Sequence, residues 1–262
     1  MSRYEALFER LERRGEGAFG GFVMLGDPNL ESSAALLDAL VEGGADMLEV
    51  GIPFSDPIAD GPVIQAAAVR ALRQGVTPAD CFALLGAFRT RHPQVPVGIL
   101  TYSNLVLARG RTAFYAAAAE AGVDSVLIAD VPMLEAGPFL AEARAHGVAP
   151  VLIAAPNTPE RTLRQIAEAG EGYTYFVARA GVTGADEAVR FDEGLLSRLK
   201  GFGAPPSILG FGISRPEHVR EALRAGAAGV ISGSAIVRLA EASGDVAAVR
   251  AFVAEMKAAT RP

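Results

Sequence analysis

Three acidic residues lie close together in the segment LEVGIPFSDPIADGP, residues 48–62: Glu49, Asp56 and Asp60. Prolines stiffen this segment, glycines mark its turns, and its first residues form the end of an apolar, strand-like run. Carboxylates in such a place could bind a metal ion, transfer protons as an acid/base pair, or accept hydrogen bonds from the backbone of the turn. The segment alone leaves these three alternatives open.

Glu49 is the strongest candidate for proton transfer. It interrupts DMLEVGI (46–52), and an acid in the middle of a buried strand is seldom structural unless it has a partner. If the side chain points into the protein, desolvation raises its pKa toward the working pH. The alternative is an outward-facing Glu49 that pairs with an arginine. Asp60 in ADGP and Asp56 in SDP are more ambiguous, because such turns commonly use Asp to accept backbone N–H groups.

The positions of the lysines and histidines limit the kinds of catalytic site that the chain can form. The only lysines, Lys200 and Lys257, lie in predicted helices, which disfavours a Schiff-base mechanism. The only histidines, His92, His146 and His218, lie at helix ends or ahead of strands, so we expect no zinc site. A magnesium site built from carboxylates alone is a weaker alternative. We therefore predict paired acids and no metal.

Three glycine-rich segments each follow a predicted strand: GVTGADE (181–187), GFGIS (210–214) and SGSAIV (232–237). The last two offer bare N–H groups at the start of a helix, which is a typical phosphate-binding arrangement. The first has the composition of a glycine-hinged lid. Together they predict a phosphorylated ligand.

The elements that must position these residues are strands alternating with helices. Eight short apolar runs predict parallel strands buried on both faces, at 21–25, 46–52, 97–100, 125–129, 150–154, 173–177, 207–211 and 229–232. The segments between them have helical spacing and end on glycine. We predict a single (β/α)8 TIM barrel domain over residues 1–262, with an extra N-terminal helix. We expect the apolar face of this helix to cover the lower end of the barrel. That face carries Tyr4, Leu7, Phe8 and Leu11.

Composition excludes several classes of protein. The net charge of −6 argues against a nucleic-acid partner. Cys81 is the only cysteine, so no internal disulfide can form. No run has the character of a signal peptide or a membrane span. We therefore predict a cytoplasmic protein that does not bind membranes.

The segment LEVGIPFSDPIADGP closely resembles the tryptophan synthase alpha chain family. The motifs LGDP, YSNLV, GVDSVLIADVP, YTYFVARAGVTGA, GFGIS and AAGVISGSAIV extend the resemblance over nearly the whole chain. The resemblance implies a β/α barrel that cleaves indole-3-glycerol phosphate to indole and glyceraldehyde 3-phosphate by a retro-aldol reaction. It also implies a beta chain as partner, in a heterotetramer of two alpha and two beta chains. Pyridoxal phosphate is expected only in the beta chain, and no cofactor in this one.

The resemblance also implies roles for individual residues. Glu49 matches the general acid/base, and Asp60 matches the carboxylate that stabilises the indole N–H as positive charge develops. The residues implied to bind substrate are Phe22, Leu100 and Tyr175 in the indole and glycerol pocket, Gly184, Gly212, Gly233 and Ser234 around the phosphate, and Thr183 in the lid. Asp56 and Asn104 match surfaces that face the beta chain.

Two positions depart from the family pattern. Gly21 and Met24 occupy positions where many relatives have proline and a small or hydroxyl residue, so we expect the pocket wall at the first strand to differ. Two alternatives share the same motifs: a stand-alone lyase that releases free indole, and a catalytically silent barrel that activates a partner. An epimerase barrel would share the glycine turns without needing the paired acids.

Overall fold

The computed structural model describes residues 1–177, 192–243 and 246–261. One sheet of parallel strands organises these residues, in the order β5-β4-β3-β2-β1-β9-β8-β7-β6. Its strands are β1 (Ala18–Met24), β2 (Met47–Gly51), β3 (Val97–Thr101), β4 (Ser125–Ile128), β5 (Ala149–Pro150), β6 (Leu152–Ala154), β7 (Thr174–Phe176), β8 (Ser207–Leu209) and β9 (Gly229–Ser232).

The two ends of this order, β5 and β6, are halves of one predicted strand. Val151 separates them, and its N–H donates to Val126 O at 3.1 Å. β5 pairs with β4 while β6 pairs with β7, so the short interruption lies where the sheet closes. The prediction of an eight-stranded barrel is confirmed, with its fifth strand split in two.

Helices follow the strands and surround the barrel. They are α1 (Arg3–Arg14), α2 (Leu30–Glu42), α3 (Pro62–Arg73), α4 (Pro78–Arg91), α5 (Ser103–Arg109), α6 (Arg111–Glu120), α7 (Gly137–Ala145), α8 (Glu160–Ala169), α9 (Glu193–Gly201), α10 (Pro216–Arg224), α11 (Ser234–Ser243) and α12 (Val246–Ala258). A short 3₁₀ turn, Met133–Glu135, follows β4.

The barrel separates two apolar cores. The outer core lies between the strands and the surrounding helices and includes Phe19, Leu40, Phe88 and Phe176. The inner core fills the barrel itself. Because side chains alternate along a strand, neighbouring residues such as Phe19 and Phe22 contribute to different cores.

Helix α1 covers the lower end of the barrel, as predicted. It begins with a capping box between Ser2 and Glu5, which satisfies N–H groups of the first turn. Tyr4, Leu7 and Leu11 belong to the inner core, and Phe8 packs against it.

The lysines, His92 and His146 lie away from the strand C-termini, as predicted. His218 differs: it lies in the first turn of α10, and its Nδ1 accepts a 3.3 Å hydrogen bond from Ser214 N–H in the glycine turn after β8. Lys257 is buried, and its ammonium contacts Asp46 at 2.8 Å, just before β2. Lys200 lies on α9. His92 and His146 follow the last residues of α4 and α7.

Candidate active site

Strand β2 turns Glu49 into the barrel. Its register partners are Phe22 on β1 and Gly98 on β3, and the side chain is only 1% exposed. Tyr173 Oη donates a hydrogen bond of 2.7 Å to Glu49 Oε1. Oε2 is also buried, and no hydrogen-bond partner for it exists in the described part of the chain. The prediction of an inward-facing acid is confirmed, and the outward-facing alternative with an arginine partner is wrong.

Burial changes the acidity of Glu49. Desolvation is the main cause that raises its pKa from 4.5 to about 8, and the negative charge of Asp60 adds to it. The hydrogen bond from Tyr173 acts in the opposite direction. At neutral pH the side chain is therefore mostly protonated, and it can give up a proton and take one back near the working pH.

Tyr173 is a site residue that we did not single out from the sequence. It lies just before β7, and its ring is 5.4 Å from that of Tyr4 on α1, which shares a 2.8 Å hydrogen bond with Ser125. The covering helix thus supports the partner of Glu49 from below. The two-residue spacing between Tyr173 and Tyr175 indicates that both point inward, and this spacing could have identified Tyr173.

Asp60 lies above Glu49, between β2 and α3. One alternative expected its carboxyl group to accept hydrogen bonds from the backbone of its own turn. The structure shows no such bond within that turn. Instead, Tyr102 Oη donates to Asp60 Oδ2 at 2.9 Å. Desolvation raises the pKa of Asp60, and the hydrogen bond from Tyr102 opposes that rise. Tyr102 directly follows β3, where barrel enzymes place functional side chains, and that position is the sequence feature that could have identified it.

The predicted pocket residues Phe22, Leu100 and Tyr175 all pack in the inner core. The ring of Tyr175 is edge-on to Phe211, with centroids 5.9 Å apart. A Cβ at Gly210 would overlap the Tyr175 ring, so glycine at this position keeps the ring in place. These side chains form an apolar wall at the level of the two acids.

The departures on β1 have different consequences. Met24 points inward, with its thioether against Gly51, and so belongs to the pocket wall as expected. Gly21 faces the opposite side, because a side chain there would meet Leu40 and Ile236 in the outer core. The expected change in the pocket wall therefore applies to Met24 alone.

Two of the three predicted phosphate turns lie side by side. Ser232 Oγ donates to Ile213 O at 2.7 Å and links the turn after β9 to the turn after β8. Gly212 has a positive φ of 78°, which favours glycine. Gly233 accepts the first helical bond of α11, from Val237, and Ser234 is the first residue of that helix. Bare N–H groups at this helix start suit an anion.

The predicted lid lies outside the described residues, and so do its members Thr183 and Gly184. Among the residues that the structure does describe, no three His, Cys, Asp or Glu side chains gather closely enough to hold a metal ion. Asp56 and Asn104 are exposed on the loop after β2 and on α5, apart from the inward-facing acids.

Fold and site together define a β/α-barrel enzyme whose mouth holds two carboxyl groups beside an apolar wall. A sequence model of the tryptophan synthase alpha chain matches residues 8–261. An alpha chain from Shewanella amazonensis is 55% identical over 99% of this chain and 100% of its own length. One from Escherichia coli is 54% identical over the full length of both. The chain belongs to the tryptophan synthase alpha chain family.

Solved structures agree with this assignment. The structure of Mycobacterium tuberculosis tryptophan synthase superposes with a TM-score of 0.91 at 32% identity, covering 100% of this chain and 99% of that one. The alpha subunit from Legionella pneumophila gives 0.89 at 29% identity, over 99% and 98% of the two chains. The protein is a carbon–carbon lyase that cleaves indole-3-glycerol phosphate, and its partner is a tryptophan synthase beta chain. None of the described helices is long and apolar enough to cross a membrane.

Proposed function

We propose that Glu49 is the general acid/base of the cleavage reaction and that Asp60 is the carboxylate that stabilises the charge on the indole ring. The observation that carries this proposal is the state of Glu49: a buried carboxyl group whose Oε2 has no partner in the described chain and whose pKa is raised to about 8. A structural acid would have both oxygens satisfied. A free, protonated oxygen inside the barrel is what a general acid needs.

The proposed reaction begins when Glu49 transfers its proton to indole C3. The ring becomes a cationic iminium at C2 and N1, which can accept an electron pair. Glu49, now a carboxylate, removes the proton from the glycerol hydroxyl next to the ring. The C–C bond to C3 then breaks: its electrons restore the indole ring, and the hydroxyl carbon becomes the aldehyde of glyceraldehyde 3-phosphate. Glu49 regains its proton, so the cycle balances without a cofactor.

Asp60 acts as the counter-charge in this proposal. Its carboxylate accepts the indole N–H bond and stabilises the positive charge that develops on the ring. A charge held in place before the reaction lowers the barrier without reorganisation of solvent. The hydrogen bond from Tyr102 supports this role because it favours the ionised carboxylate despite burial.

The remaining substrate contacts follow from the neighbouring walls and turns. We assign the indole and glycerol moieties to the inner-core wall and the phosphate to the paired glycine turns. The wall includes Phe22, Leu100 and Tyr175, and the phosphate contacts are Gly212, Gly233 and Ser234. For Thr183 and Gly184 the assignment rests on the sequence resemblance alone.

The loops after β2, β3 and β4 form the proposed docking surface for the beta chain. Each carries an exposed large apolar residue: Ile58 is 74% exposed, Leu107 47% and Leu134 91%. Asp56 and Asn104, also exposed, lie on the first two of these loops. Apolar side chains exposed at neighbouring barrel loops favour a protein partner. We name the loops carrying Ile58, Leu107 and Leu134 the partner-facing loops.

The proposal further assigns pyridoxal phosphate to the beta chain and no cofactor to this chain. It treats residues 1–262 as one domain, in keeping with the continuous sheet order. A cytoplasmic location is part of the proposal, supported by the single, unpaired and buried Cys81.

Indole release from indole-3-glycerol phosphate tests the proposed roles. Wild type, Glu49→Gln and Asp60→Asn are compared with and without the beta chain. Glu120→Gln, an exposed acid on α6, is the matched control. We expect Glu49→Gln to lose at least about 1,000-fold in kcat, the loss of a group that transfers both protons. Turnover in Glu49→Gln equal to the control would refute the role of Glu49.

A further inference from the structure

The side chain of Tyr102 lies between the proposed carboxylate and the docking surface. The residue is 2% exposed and occupies the N-cap position of α5, the helix that carries Leu107. Its phenol donates to Asp60 Oδ2 at 2.9 Å and accepts the Ala59 N–H at 3.1 Å. The ring packs against Phe54, with centroids 5.3 Å apart. Three contacts therefore fix Tyr102 to the loop that contains Asp60.

The backbone and the carboxyl group of Asp60 are held by different partners. Its N–H donates to Pro57 O at 3.0 Å, and its carbonyl accepts from Gln65 Nε2 at 2.8 Å. Both contacts fix the turn but leave the side-chain rotation free. From the described part of the chain, the carboxyl group receives a hydrogen bond from Tyr102 alone. The phenol thus sets the direction in which the carboxylate points.

The residue after Tyr102 extends these contacts to a third loop. Ser103 N–H donates to Asp130 Oδ1 at 2.7 Å, and Ser103 Oγ donates to Asp130 Oδ2 at 2.8 Å. Asp130 follows β4, four residues before Leu134. A continuous path, Asp60, Tyr102, Ser103 and Asp130, therefore joins all three partner-facing loops through one covalent link and side-chain hydrogen bonds.

We propose that Tyr102 is a positioning residue for the lyase reaction, one that aims the Asp60 carboxylate and couples its direction to docking on the partner-facing loops. This inference rests on the proposed role of Asp60. A partner that shifts α5 or the loop after β4 moves the phenol, because every link of this path is a covalent bond or a hydrogen bond of 2.7–2.9 Å. The phenol acts on the substrate only through Asp60.

A double-mutant cycle with Tyr102→Phe, Asp60→Asn and the double variant tests the positioning role. Phe keeps the ring on Phe54 and removes only the hydroxyl group. Tyr115→Phe is the matched control, a buried tyrosine of the outer core on α6. Losing one charge-assisted hydrogen bond predicts a kcat about 10- to 100-fold lower for Tyr102→Phe, with KM changed less than about threefold. In the Asp60→Asn background, the same change should cost less than about twofold.

The possible outcomes separate the two proposals. If Asp60→Asn keeps the wild-type rate, the proposed role of Asp60 fails, and this inference fails with it. Two other outcomes overturn only the positioning role, provided that Asp60→Asn is impaired. In the first, Tyr102→Phe has the same rate as Tyr115→Phe. In the second, the losses of the two single variants multiply in the double variant. Thermal melts of all variants identify any loss that comes from unfolding.

Titration with the beta chain tests the coupling. We expect the beta chain to raise the rate of wild type and of Tyr115→Phe by the same factor, and to raise that of Tyr102→Phe by a clearly smaller one. The titration midpoint should stay unchanged, because the phenol is buried and the substitution leaves the exposed surface as it is. An equal factor in Tyr102→Phe, or no effect of the beta chain on wild type, would overturn the coupling.

Discussion

Replacing Glu49 with glutamine should stabilise the protein while abolishing its activity, and the gain should grow with pH. The pKa of Glu49 is about 8 in the folded protein against an ordinary value of 4.5. The folded state therefore holds this proton more tightly than the unfolded chain does. The contribution of protonated Glu49 to the free energy of unfolding is fully present below pH 4.5. It is lost as the pH rises toward 8. Glutamine cannot ionise and escapes this loss.

The size of the effect follows from the two pKa values. Between them, each pH unit costs about 1.4 kcal/mol of unfolding free energy, and the loss levels off above the folded pKa. From pH 6 to pH 8.5, wild type should therefore lose about 2.5 kcal/mol relative to Glu49→Gln. Both pH values lie above the sequence pI of about 5.2, so the protein keeps a net negative charge in both measurements.

Urea unfolding of wild type and Glu49→Gln at the two pH values measures the difference directly. Taking the difference between the variants cancels the titration of every other group that the substitution leaves unperturbed. A stability difference that is the same at pH 6 and pH 8.5 would show that the folded pKa of Glu49 is not raised. The explanation of its acid/base role would then be wrong, even if the variant were inactive.

Three further predictions concern Asp60, the pocket wall and the docking surface. Asp60→Asn should lower kcat by about 100-fold in steady-state assays, because a neutral amide cannot balance the charge on the ring; a loss below twofold would contradict this. Gly210→Ala should push the Tyr175 ring aside, costing about 1–3 kcal/mol in urea unfolding and raising KM. The control Gly86→Ala, in open space on α4, should be neutral or slightly stabilising; equal losses in both would refute the overlap. Leu134→Asp should weaken beta-chain binding about tenfold or more in a titration while the partner-free rate stays unchanged, and unchanged binding would exclude this loop from the interface.

Much of the barrel was predictable from the sequence because its strands are short, continuous apolar runs. Each of the eight predicted runs overlaps a strand, although β1 begins three residues earlier than predicted and Val151 splits the fifth strand in two. The inward direction of Glu49 was also expected, since an unpaired acid on the outer face of a buried strand would be costly. Strand periodicity and desolvation are local properties, and a sequence displays them directly.

The partners of the two acids could not be predicted in the same way. Tyr173 lies 124 residues from Glu49 in the chain, and Tyr102 lies 42 residues from Asp60. Local patterns can mark Tyr173 and Tyr102 as candidate site residues, but which acid each one contacts depends on how the strands assemble. The face occupied by Gly21 was misjudged although alternation along the strand could have shown it. Phe22 was expected in the pocket, so the adjacent Gly21 must face the outer core.

Hydrogen exchange at indole C3 tests the central claim, proton transfer by Glu49, most directly. Indole and glyceraldehyde 3-phosphate are incubated with the enzyme in D₂O, and loss of the C3–H signal is followed by NMR. Wild type should exchange this hydrogen at a measurable rate through the reversed protonation step, and Glu49→Gln should not exceed the rate without enzyme. Exchange in Glu49→Gln as fast as in wild type would mean that another group protonates C3.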